Sequence, residues 1–309
     1  MEKGYEAFVE ALRQALLTVS RLKESSIYFE RKGGKFSANG DRLFVEFEEH
    51  EDGKEVCAFY TEELYARYLQ EQCMEEIVGD VINELNHVRG SGIFEKTRNL
   101  SEYEKVKSDL FIRLLNVERC HDDLGQAVYR TIGDIALVLY MKVFEDEGCI
   151  TSVKIRQEHI ERWEIECDKV FDDALLNTYF MTPPRIYRWE KLIYNPEYGG
   201  ENFMDLLTGF EINKDAVGNC LSTTKRTNGA VAVFLPGVAA RLGKLLGEDF
   251  YMVFTSVHEV MIHNDRKVDA DDLVNVLADT IREATPEEDF LSARIYHYCR
   301  QTQEFTCVE

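Results

Sequence analysis

Proline, positive charge and long apolar runs are what this sequence has least of. Only 5 of its 309 residues are proline and no Gly/Ser tract occurs, so long flexible linkers are not expected. No uninterrupted apolar run reaches the roughly 18 residues that a membrane-crossing helix requires. The eight cysteines (57, 73, 120, 149, 167, 220, 299 and 307) contain no CxxC pair, and a reducing cytoplasm fits them best. Cys73, Cys149 and Cys167 are expected on apolar faces, where a thiol behaves as a small hydrophobe. The segment Tyr5-Glu6-Ala7-Phe8-Val9-Glu10 reads as an amphipathic helix rather than a signal segment, which also favours a cytoplasmic location.

The shortage of positive charge excludes more. With 57 acidic and 36 basic side chains, the formal net charge is −21. A phosphate backbone or an anionic membrane surface is repelled by such a chain. The densest basic clusters, Arg31-Lys32…Lys35 and Lys225-Arg226, are short and lie among acids. Neither nucleic acid nor membrane is therefore expected as a partner. A protein partner, basic in character, fits the charge better.

Against these shortages stands ample core-forming material, 45% hydrophobic and 11% aromatic. The length predicts about two domains. Tyr5, Phe8, Val9, Leu12, Leu16 and Val19 recur at helical spacing. Residues 26–30 and 43–47 predict a hairpin. Thr61 is expected to cap one long helix whose later half carries Met74, Ile77, Val78, Val81, Ile82 and Leu85 inward. Strands are predicted at 110–115, 135–143 and 150–155, the middle one apolar enough to be central. A helix follows over 164–179, with Cys167, Val170, Phe171, Ala174, Leu175 and Thr178 inward, ended by Pro183-Pro184.

Residues 195–214 look irregular and mark the expected boundary, giving an N-terminal α+β domain over 1–200 and a C-terminal one over 201–309. In the latter, Asn228-Gly229 predicts a hairpin between strands 220–224 and 230–235. Pro236 then opens a helix that Gly247 ends. Strands over 250–263 follow, then a helix capped by Asp269, then extended segments at 294–298 and 304–308. The fold class predicted is α+β, with mainly antiparallel sheets and helices packed on one face.

Several segments carry a resemblance. Thr227-Asn228-Gly229-Ala230-Val231-Ala232-Val233-Phe234-Leu235-Pro236-Gly237-Val238 resembles a signature of the domain-of-unknown-function family 5688. So do Thr255-Ser256-Val257-His258-Glu259-Val260 and Phe290-Leu291-Ser292 with Tyr296. Tyr5–Val9, Glu104–Lys107 and Asp134–Val143 are similar as well, so the likeness spans nearly the whole chain. It implies a bacterial cytosolic protein and brings no activity, cofactor or site with it.

The candidate sites must be read from their own chemistry. His258…His263 invites comparison with HExxH zinc proteases, which grip one ion with histidines four apart. Here the interval is five, which separates the rings by about 140° on a helix and sends them to opposite faces of a strand. No metal is therefore expected at this pair. His258 and Glu259 alone, at a bend between apolar strands, could form a general base; backbone satisfaction at a tight turn is the commoner role. Cys120-His121-Asp122-Asp123 reads as a solvated turn and His159/Trp163 as a structural stack. Thr224, Lys225, Arg226 and Asn228, in the polar loop 223–229, could hold an anion through backbone amides and Lys225. The acid clusters Glu46/Glu48/Glu49/Glu51/Asp52 and Glu283/Glu287/Glu288/Asp289 lack calcium-loop order and read as solvated faces. No cofactor motif is present.

Three functions are compatible with these residues. The first is a non-enzymatic protein-interaction or accessory module. The alternatives are a hydrolase-like enzyme using His258 and Glu259, and a small-ligand or anion sensor using the 223–229 loop.

Overall fold

The computed structural model describes the chain except residues 1, 35–36, 38–39, 51–52, 71, 147–148, 215–217 and 309. It divides into two compact units, 1–98 and 99–309. The boundary expected near residue 200 instead falls inside the second unit. There, strand Pro184–Tyr187 pairs with strand Asn219–Thr223 across the irregular segment, so the segment is an internal loop.

In the first unit the opening helix, Glu2–Ser20, buries Phe8, Val9, Leu12 and Leu16. Val19, expected on the same stripe, is exposed. Strands β1 (Ile27–Glu30), β2 (Arg42–His50) and β3 (Gly53–Tyr60) form an antiparallel sheet. Ile27, Leu43 and Val45 face the helices and share a core with Ile77, Val78, Val81 and Leu85. The predicted long helix is two, Thr61–Leu69 and Met74–Gly90. Cys73 starts the second, where its backbone N–H donates to the Glu76 carboxylate at 3.2 Å, and its side chain is exposed. Thr61 does not cap. Tyr60 precedes the helix, and the buried Thr61 hydroxyl shares a 2.6 Å hydrogen bond with Tyr5.

The second unit holds two antiparallel sheets. Strands β4 (Leu110–Asn116), β5 (Tyr129–Ile132), β6 (Ile135–Asp146) and β7 (Cys149–Lys154) surround a central β6, in keeping with its apolar composition. The helix Cys167–Met181 packs on β4 through Val170, Phe171, Ala174 and Thr178. Thr178 bridges them, donating to the Ala174 carbonyl (2.7 Å) and accepting the Ile112 N–H (3.0 Å). The Cys149 side chain and part of the acid cluster at 46–52 lie outside the described residues.

The larger sheet contains β8 (Pro184–Tyr187), β9 (Asn219–Thr223), β10 (Phe250–Ser256), β11 (Glu259–Asn264), β12 (Ile295–Cys299) and β13 (Glu304–Val308). Their order is β13-β12-β10-β11-β9-β8. Asp269 caps the helix Ala270–Ala284 as expected, accepting the Asp271 N–H at 2.9 Å, and Leu273 and Leu277 pack on β10. The hairpin expected at Asn228-Gly229 is absent. Residues Gly229–Phe234 form a fully buried 3₁₀ helix, and β9 pairs with β8 and β11. Pro236 precedes the next helix, Val238–Leu246, and Gly247 ends it with φ +85°. Among the described residues no helix is long and apolar enough to cross a membrane.

A buried carboxylate joins the two sheets. Asp134, in the turn before β6, accepts from Asn116 Nδ2 (3.2 Å), Ser292 Oγ (2.7 Å) and Tyr296 Oη. The Tyr296 hydroxyl in turn accepts the Asp134 N–H at 3.2 Å. All four residues are buried, and each lone pair met by a donor offsets the cost of holding a charge away from water. Gly133 must lack a side chain here. Its φ is +57°, and a Cβ would come within 2.8 Å of the Tyr296 hydroxyl.

Candidate functional site

His258 lies in the turn between β10 and β11, with both ring nitrogens occupied. Nδ1 accepts the Asn228 N–H at 3.0 Å, and Nε2 lies 3.1 Å from Asp289 Oδ1. An imidazole that accepts at Nδ1 carries its proton on Nε2, where it donates to the carboxylate. The ring therefore has no free lone pair for base chemistry. It fixes the loop that precedes the buried 3₁₀ helix. Asp289, read from the sequence as a solvated acid, is half-buried and forms the other side of this contact.

Glu259, one residue on, serves different partners. Its carboxylate accepts from Thr255 Oγ1 at 3.1 Å and from the Cys220 thiol at 3.4 Å. Burial first, then the Glu259 charge, pushes the Cys220 thiol pKa up. The sequence candidates His258 and Glu259 thus hold two separate sets of contacts. His263, on β11, is buried with its Nδ1 unpartnered, and burial holds its pKa down to about 4. Cys120 is no activated nucleophile either: burial raises its pKa, while His121 and Asp122 are in solvent. His159 sits 6.2 Å from the Trp163 ring and accepts the Arg156 N–H at 3.0 Å.

The loop between β9 and the 3₁₀ helix is more informative. Three of its backbone amides are used internally: Thr224 N–H reaches the Pro183 carbonyl at 2.9 Å, Arg226 N–H the Thr223 carbonyl at 3.0 Å, and Asn228 N–H reaches His258. Those three are not available for an anion. Arg226 and Asn228 adopt positive φ (56° and 52°), and Lys225 pairs with Glu145. Gly229 follows because backbone presses on it: a Cβ would lie 2.6 Å from the His258 carbonyl oxygen and 2.9 Å from Thr223 N.

Lys225, Thr227, Asn228 and Val231 form one wall of a cleft of about 520 Å³. Phe111, Ile112 and Arg113 of β4, Ile150 of β7, and Thr178, Met181 and Thr182 around the end of the long helix form the rest. Of the four predicted ligand-binding residues, Lys225 and Asn228 line it; Thr224 and Arg226 are exposed and do not. Thr182 is 6% exposed, and among the described residues its hydroxyl has no hydrogen-bond partner. Arg113 is half-buried over the Phe111 and Tyr140 rings. Sequence reasoning missed both residues. Arg113 shows as one charge inside the apolar run 110–115; Thr182 gives no signal.

One further group has the composition of a cation site. Ligand atoms of Asp249, Asp265 and His297 all lie within 4.8 Å of one another. Asp265 Oδ2 is 3.3 Å from His297 Nε2, and Asp249 Oδ1 accepts the Arg300 N–H at 3.0 Å. These contacts account for most of the group without an ion.

No curated protein and no solved structure matches this chain. A family of unknown function, DUF5688, matches over residues 5–300, a span that includes the His258 turn, the cleft and the buried carboxylate. The chain is a member of that family.

Proposed function

We propose that this protein is a non-enzymatic binding module that holds a small ligand in the cleft beside the 224–228 loop. The observation that carries the reading is the Thr182 hydroxyl, buried and unpartnered on the wall of a largely apolar cavity. An orphaned buried polar group is costly unless something supplies its partner. The cavity volume lies in the range of small-molecule sites, and its mix of apolar walls with a few polar groups is typical of them. The occupied ring of His258 and the diverted carboxylate of Glu259 argue for binding rather than turnover.

The test is a thermal-shift screen of metabolites against the wild type and Ile150→Trp, a partly exposed lining position where the larger ring fills the cleft. A ligand at a hundred times its Kd adds about 2.7 kcal/mol and raises Tm by several degrees. Hits that vanish in Ile150→Trp, with its own unfolding transition retained, support the reading; a flat response in the wild type refutes it.

A protein-interaction module is favoured by a separate observation. Ile193, Tyr194, Leu206 and Leu207 expose 75%, 89%, 73% and 95% of their surfaces, more than large apolar side chains usually do. Under that reading, cross-linking at these positions captures a stoichiometric partner, and Ile193→Asp with Leu207→Asp abolishes the capture.

A further inference from the structure

We infer that the cleft takes a monocarboxylate with an apolar body, its head held by Arg113; this rests on the reading of the cleft as a ligand site. Arg113 extends from β4 with its guanidinium 5.2 Å from the Phe111 ring centroid and 5.3 Å from that of Tyr140. Among the described residues no carboxylate pairs with it, although acids outnumber bases across the chain by 57 to 36. A half-buried guanidinium without a counter-ion is costly, and arginine does not relieve the cost by losing its proton. The nearby Tyr140 phenol does not supply the charge either, since burial pushes its pKa up to about 12.

The other cation on the wall is already matched. Lys225 pairs with Glu145, so among the described residues the cleft offers one uncompensated positive charge. A single carboxylate neutralises it, whereas a phosphate dianion leaves one charge unmet. The guanidinium fork presents two parallel donors that fit a carboxylate edge. Ring faces on one side of the guanidinium hold that fork in place. The Thr182 hydroxyl is a further donor or acceptor lining the cleft, and the Asn228 amide another. Phe111, Ile112, Ile150, Met181 and Val231 supply the apolar surface for the body of the ligand. An aromatic or medium-chain aliphatic acid meets each of these demands.

Calorimetric titration of the full chain with 4-phenylbutyrate and octanoate, their amides, and inorganic phosphate tests the assignment. The acids are expected to bind with a Kd about 10- to 100-fold below that of the amides, the range that a charge-assisted hydrogen bond confers. Arg113→Met should bring the acids to the level of the amides while leaving amide binding unchanged, which also shows that the cleft is intact. Arg113→Lys should retain part of the preference. Amides that bind as tightly as the acids, or phosphate that binds more tightly, overturn the monocarboxylate assignment; amide binding lost in Ile150→Trp then leaves the cleft itself standing. If none of the five probes binds, the assignment falls, and the broader metabolite screen decides separately whether the cleft is a ligand site.

Discussion

Replacing Tyr296 by phenylalanine removes one oxygen atom from the buried network around Asp134. That oxygen makes two contacts: it donates to the Asp134 carboxylate and accepts the Asp134 N–H at 3.2 Å. Losing a hydrogen bond to a charged acceptor costs about 1.5–3 kcal/mol, and a buried amide left unpaired costs about 1–3 kcal/mol more. The two losses overlap because they share one site, so we expect about 3 kcal/mol. No cavity cost is added. The ring stays and keeps its edge-on contact with Phe254 at 5.3 Å. Urea denaturation followed by tryptophan fluorescence reads the correct part of the molecule, because both tryptophans, Trp163 and Trp189, belong to the 99–309 unit. Arg294→Ala is the internal control: its guanidinium is 3.8 Å from Asp134 and half exposed, so only a small effect is expected. A Tyr296→Phe effect no larger than that of Arg294→Ala would refute the reasoning.

Three further outcomes are expected. The His263 pKa is about 4 when folded and about 6.5 when unfolded, so only the unfolded chain binds that proton between the two values. Its contribution to stability therefore falls as pH drops from 6.5 to 4, by up to about 3 kcal/mol, and His263→Gln removes that part of the slope in urea midpoints measured across the window. Gly229→Ala forces a Cβ against two backbone groups of the loop floor and should cost about 1–3 kcal/mol, read from the same fluorescence transition. Iodoacetamide labelling with mass spectrometry should modify exposed Cys73 at least about tenfold faster than Cys220, whose thiol is buried and raised in pKa; equal rates would contradict the burial of β9.

Apolar patterning made most of the elements readable: the strand 135–143 shows as a continuous apolar run, and the helix stripe from Tyr5 to Leu16 follows from its spacing. The Asn228-Gly229 pair misled because it satisfies two different demands. A hairpin turn requires left-handed backbone there, and so does the start of a 3₁₀ helix packed against the His258 carbonyl. Only tertiary contact distinguishes them. The break after Leu69 was equally hidden, because the apolar stripe resumes in phase with a continuous helix. At the site, the loop 223–229 and His258 were each visible as chemistry, but their mutual contact was not. They are 30 residues apart and meet because β9 and β11 are neighbours. Arg113 and Thr182 belong to elements that are legible one by one. The cleft exists only where those elements converge.

The carboxylate at Asp134 also sets the order in which the second unit can mature. Its hydroxyl donors, Ser292 and Tyr296, stand 158 and 162 positions downstream. Strands β4 to β7 are close neighbours in sequence and can pair early, yet that early sheet offers the Asp134 carboxylate only the Asn116 amide until Ser292 and β12 arrive. A late strand thus completes an early sheet. A protease cut in the irregular stretch before β9 should leave two fragments that stay clasped, held by the 134–296 contact together with the β8–β9 pairing.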